Sequence, residues 1–187
     1  MKAELDPVVH FLRGGAGNFV YRKIRGKTIV SPKPVRDYTV LSDAQAEHRV
    51  RFKKAAAYSK LALMDSDVRP LYEESAKERN VPLFAVMMAD FFNAPVIETV
   101  NTDPYTGQAN QVIQVIATDD FGVVKVHVKI SDLSGNLIES GDAVNTSNGI
   151  GPWTYTTQYS MDRPVNVEVV ATDRPGGTAV TTIRRDF

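Results

Sequence analysis

The strongest constraint in this sequence is a change of period. As far as residue 94, apolar residues recur at helical spacing or lie in short basic runs. From Pro95 onward they alternate with polar residues in short segments divided by Gly, Asn, Asp and Pro. A period of two leaves each segment with one face to bury and one to wet, so the chain must form sheets that cover each other. Seven segments carry the pattern: 96–100, 111–118, 123–131, 136–142, 153–159, 165–172 and 178–184. In the third, Val124, Val126, Val128 and Ile130 are expected on one face and Lys125, His127 and Lys129 on the other. Val115-Ile116-Ala117-Thr118-Asp119 and Val169-Val170-Ala171-Thr172-Asp173 echo each other 54 residues apart. Each reads as a strand end entering a turn, where an Asp side chain bonds the turn backbone. Ser134-Gly135-Asn136 supplies a hairpin turn between the third and fourth segments.

Before residue 95 the signals differ. Gly14-Gly15-Ala16-Gly17-Asn18 is expected to break the chain. Phe19–Ile24 then reads as a strand, Arg25-Gly26-Lys27 as a turn and Thr28-Ile29-Val30 as a second strand, ended by Pro32 and Pro34. Such a hairpin has little core and must pack on something else. Ser42-Asp43-Ala44-Gln45 has the form of a capping box, opening a helix to about Met64 with a stripe of Phe52, Ala55, Ala56, Ser59, Ala62 and Leu63. A second helix is expected from Pro70, with Leu71, Tyr72 and Ala76 and a Glu73–Lys77 pair, ending at Asn80. Pro82 opens a third, Leu83–Phe92, apolar almost all round apart from Asp90. That helix must be buried on several sides, within this chain or against another copy.

The C-terminal segments resemble bacterial Ig-like and fibronectin type III-like modules. Ala117-Thr118-Asp119-Asp120-Phe121-Gly122-Val123-Val124-Lys125-Val126 and Ala171-Thr172-Asp173-Arg174-Pro175-Gly176-Gly177 carry the likeness, which covers roughly residues 95–187. Antibody-type marks are missing, since Cys is absent and Trp153 falls late. The N-terminal half is loosely similar to uncharacterised Bacteroidota proteins through Gly14-Gly15, Gly17-Asn18, Arg25-Gly26-Lys27, Asp43-Ala44-Gln45, Arg49, Arg51-Phe52 and Ala55. This likeness implies a bacterial source and no particular activity. The expected class is α+β: an N-terminal β-hairpin plus short helices over 1–94, followed by a seven-stranded Ig-like β-sandwich over 95–187.

The net charge of zero hides an asymmetry. Residues 1–94 hold 16 Lys+Arg against 11 Asp+Glu, and residues 95–187 hold 6 against 11, so +5 stands beside −5. Seven cations, Arg13, Arg22, Lys23, Arg25, Lys27, Lys33 and Arg36, follow Pro7 with no Asp or Glu among them. They suit a solvated hairpin edge or docking onto an acidic protein surface, with nucleic-acid phosphate behind both. Catalytic patterns are lacking. The absence of Cys excludes thiol catalysis, disulfides and thiolate zinc, and His10, His48 and His127 lack metal spacing. Gly26-Lys27-Thr28 lacks both the earlier Gly and the following helix of a phosphate loop. No cofactor and no metal is called for; the one cation option is calcium at the turns of Asp119 and Asp173.

The expected function is therefore a non-enzymatic structural or interaction protein that self-assembles head-to-tail into a filament or ring. Its own copies are the main partner. The interface candidates are Arg13, Arg22, Lys23, Arg25, Lys27, Phe84, Met87, Met88, Phe91 and Phe92. The alternatives are a phage or secretion-system component, or a carbohydrate-binding module stacking sugars on Trp153, Tyr155 and Tyr159. Met1–His10 lacks a signal peptide's apolar stretch and no segment is apolar enough to span a membrane. The default location is cytoplasmic, with leaderless export or residence in a particle left open.

Overall fold

The computed structural model describes residues 13–24, 26–34, 42–145 and 151–187. Contacts group the chain into two compact units, Met1–Gln45 and Ala46–Phe187. The class is mixed α+β, and the C-terminal part is rich in strands.

In the first unit, β1 (Gly14–Ala16), β2 (Phe19–Ile24) and β3 (Lys27–Pro32) form an antiparallel sheet in that order. The glycine segment expected to break the chain is itself a strand. Ala16 pairs with Phe19 across a two-residue turn, Gly17-Asn18, in which Gly17 takes φ 56°. A φ of that sign is what a tight hairpin turn demands and what a side chain resists. The glycines thus permit the turn while their neighbours keep a strand. Of the expected turn at 25–27, Arg25 lies outside the described residues, and Ile24 pairs with Lys27 across it.

The helices follow closely from their start and stop signals. The capping box forms: Gln45 N–H donates to Ser42 Oγ at 3.3 Å, and Ser42 N–H to Gln45 Oε1 at 3.2 Å. They open α1 (Asp43–Met64), which buries only Ala55, Ser59 and Ala62, while Phe52 of the expected stripe is exposed. Asp65 Oδ1 then accepts the N–H groups of Asp67 and Val68 and leads into α2 (Arg69–Glu78). Glu73 pairs with Arg69 at 2.8 Å rather than with Lys77. A Glu can reach one turn in either direction, and here the Arg69 Nε takes it. Asn80 ends the helix in the left-handed region at φ 50°, with Val81 N–H donating back to Ala76 O. Pro82 is the N-cap of α3 (Leu83–Phe92), whose Val86 and Met87 join Ala62, Tyr72 and Ala76 in a small core.

The remaining strands are β4 (Val96–Asn101), β5 (Val112–Thr118), β6 (Val123–Asp132), β7 (Leu137–Asp142), β8 (Trp153–Thr156), β9 (Val165–Asp173) and β10 (Thr178–Arg185). They form two antiparallel sheets, β4-β5-β8 and β10-β9-β6-β7. One core is shared between them: Ile113, Val115, Trp153 and Tyr155 from the first sheet meet Val126, Val128, Ile130, Val165, Val167 and Val169 from the second. In β9 the alternation is complete, every second residue from Val165 to Asp173 being buried. In β6 it slips. The register against β9 shifts between Val123 and Lys125, so Val124 is the extra residue of a bulge and lies 46% exposed while Val123 packs on the core. A bulge changes which face the next side chain takes, which simple alternation cannot anticipate. The segment expected over 153–159 ends as a strand at Thr156.

Candidate functional site

The three-stranded sheet is unusual in what it leaves uncovered. None of its described residues, from Arg13 to Pro34, is buried. Phe19, Ile24 and Ile29 are 48%, 50% and 46% exposed. Arg13, Arg22, Lys23 and Lys27 are exposed as well, and none forms an ion pair among the described residues. Apolar side chains left about half exposed, beside cations without ion-pair partners among the described residues, make a surface suited to contact with something else.

A buried polar cluster lies in the second unit. Tyr58 and Tyr72 share a hydrogen bond of 2.7 Å between their hydroxyls, and the Tyr72 O–H donates to Asp90 Oδ2. Asp90 and Tyr72 are fully buried, and Asp90 Oδ1 finds no partner among the described residues. The Tyr72 ring packs at 4.4 Å on Phe121, which stands in the turn after β5. Burial pushes the Asp90 carboxyl up to about 6, opposed by the Tyr72 hydrogen bond and aided by the negative charges of Asp119, Asp173 and Asp120. Burial raises both tyrosine hydroxyls. Asp90 holds a proton into the mildly acidic range, yet solvent and substrate cannot reach it. The signal for this group in the sequence is a single acid inside an otherwise apolar decapeptide; its tyrosine partners carry no such mark.

The two echoed turns use their aspartates as turn caps. Asp119 Oδ2 accepts Phe121 N–H at 3.0 Å, and Asp173 Oδ1 accepts Gly177 N–H. No group of three or more His, Cys, Asp or Glu among the described residues is placed to hold a metal ion. Two open clefts flank the end of α3. One, of about 630 Å³, is lined by Phe92, Asn93, Val96, Asp119 and Asp120. The other, of about 370 Å³, lies between Arg51 and Lys54 of α1, Phe91, and the turn at Pro175-Gly176-Gly177.

The interface candidates divide by position. Arg13, Arg22, Lys23 and Lys27 share the open sheet; Arg25 is outside the described residues. On α3, Met87 and Met88 are buried and Phe84 is 37% exposed. Phe91 and Phe92 are half-buried. Phe92 is tied to α1: Arg51 Nη2 donates to its carbonyl at 3.2 Å and the guanidinium lies 5.1 Å over its ring. Trp153 and Tyr155 sit in the core of the paired sheets, while Tyr159 is 56% exposed beyond the end of β8, so the three rings do not form one open face.

No protein-family model and no curated protein matches the chain. Among solved structures, CopC from Methylosinus trichosporium OB3b aligns with 48% of this chain and 89% of its own, at 12% identity and a TM-score of 0.39. An engineered protein aligns with 56% of this chain, at 18% identity and a TM-score of 0.40, and this chain spans only 26% of that protein's length. Similarities this slight indicate neither a common fold nor a common function. No helix among the described residues is long and apolar enough to cross a membrane.

Proposed function

We propose that this chain is a non-enzymatic structural or interaction protein that self-associates head-to-tail, and that its C-terminal part is a seven-stranded Ig-like sandwich of the bacterial Ig-like or fibronectin type III-like kind. One observation carries the association: a three-stranded sheet with no buried residue among those described, bearing exposed Phe19, Ile24 and Ile29 beside Arg22, Lys23 and Lys27, which form no ion pair among the described residues. A sheet of three short strands needs a covered apolar face to be stable in water. The complementary surface is supplied by the acidic half of another copy, residues 95–187, which carries 11 Asp+Glu against 6 Lys+Arg. A contact between unlike patches repeats from copy to copy and builds rings or filaments. The sandwich reading is supported by the three-plus-four division of strands, in which β7 joins the sheet of β6 rather than that of β5. Multi-angle light scattering at high protein concentration and low salt tests the proposal. Species larger than one chain are expected, and a strictly monomeric protein under those conditions would sink it.

A further inference from the structure

The two paired sheets have four outer strands, and three of them are guarded against further pairing. In β4 the register shifts between Ile97 and Thr99, leaving the charged Glu98 at the irregularity. In β7 the pairing skips Ile138, because Ile130 faces Glu139 while Ser131 faces Leu137. β8 has only four residues. Bulges, charge and shortness are the devices by which sheet edges avoid accepting strands. β10 is neither bulged nor short, and its charges, Arg184 and Arg185, stand together at its C-terminal end. Its eight residues pair with β9 in unbroken register from Thr178 to Arg185, and the six from Thr178 to Ile183 carry no charge, proline or glycine. β4 runs near β10 but belongs to the other sheet, and among the described residues β9 is the one strand that β10 pairs with.

We propose that β10 is a pairing edge, and that its occupant is β10 of a second copy, joined antiparallel about a two-fold axis. The chain's own inventory of edges selects this occupant. Among the described strands, β1 has three residues, β3 starts at Lys27 and ends at Pro32, and β4, β7 and β8 are guarded. Only β10 matches β10 in length and regularity. Residues opposite each other in an antiparallel pair share a sheet face, so the two-fold falls on one residue: centred on Thr181, it sets Thr181 opposite its own counterpart and exposed Val180 opposite exposed Thr182. It also sends the arginines to opposite ends. Each is already engaged within its own chain, Arg184 Nε with Asp186 at 3.0 Å and Arg185 Nη2 with the Tyr105 carbonyl at 3.1 Å. The result is one continuous sheet of eight strands, within the usual size of open sheets. This isologous contact rests on backbone hydrogen bonds and is separate from the charge-driven contact of the cationic sheet.

Full-length protein is measured by size-exclusion chromatography with light scattering in about 1 M NaCl, where surface charges are screened beyond roughly 3 Å. The wild type is expected at twice the chain mass, and Val180→Lys/Thr182→Lys at the chain mass with an unchanged circular dichroism spectrum. A variant as large as the wild type overturns β10 pairing. So does a wild type that is monomeric at about 1 M yet larger at low salt, and in that case the head-to-tail reading stands alone. A wild type that is monomeric at both salts removes both readings. Should the double variant unfold, hydrogen exchange of the wild type decides: β10 amides are expected to exchange roughly tenfold more slowly at high protein concentration than at high dilution. Concentration-independent exchange overturns the pairing.

Discussion

Asp90 brings a carboxyl into an apolar helix, and its surroundings favour the neutral form. Its folded value of about 6 lies above the ordinary 3.8, so the folded chain holds this proton more tightly than the unfolded chain. The resulting stabilisation is complete below about pH 4 and is lost as the pH rises through about 6. Asp90→Asn removes the titration. Relative to the wild type, the variant should gain up to about 3 kcal/mol between pH 4 and pH 7.5, read from urea midpoints. A difference that does not change with pH would show that Asp90 is not the group responsible. Gly107 offers a second test at this scale. It takes φ 87°, its carbonyl accepts Met161 N–H at 2.6 Å, and an added Cβ would collide with Met161 O and lie 3.1 Å from the Phe187 ring. Gly176 takes φ 93° with open space around it. Gly107→Ala should therefore cost about 3 kcal/mol and Gly176→Ala about 1 kcal/mol in chemical denaturation. Asp90 was visible in the sequence as an anomaly. Gly107 was not, because its constraint comes from Met161 and Phe187, both more than fifty residues away.

Among the elements, the helices and most strands could be read directly. Ser42 with Gln45, Pro70, Asn80 and Pro82 act within a few residues of themselves, and local chemistry of that kind survives folding. The apolar round of α3 also has a clear outcome, since Val86 and Met87 fill the small helical core. What alternation could not show was the bulge in β6, because it depends on how β9 pairs beside it. Val124→Thr should leave the denaturation midpoint within about 0.5 kcal/mol of wild type, whereas Val126→Ala, in the shared core, should cost about 2 kcal/mol. Equal effects at the two positions would contradict the bulge. The open edge of β10 is likewise a property of pairing, as its residues read much like those of any other strand.

At the scale of the whole molecule, neutrality results from a basic half and an acidic half cancelling. Reversing the charge with Arg22→Glu/Lys23→Glu should reduce assembly at low salt, seen by sedimentation velocity. It should leave the melting temperature unchanged, because both side chains are exposed and unpaired. Assembly that is insensitive to both the reversal and to salt would place the contact elsewhere. The sequence alone determined the mixed class, the position of each helix, the point at which helix gives way to strand and the charge asymmetry, since all of these are written in local spacing and composition. Tertiary structure alone decided that Trp153 and Tyr155 are core residues, that Asp90 meets Tyr72 and that β10 is left with an open edge. Each depends on which distant segments become neighbours. Local pattern names a face to bury but not what will cover it.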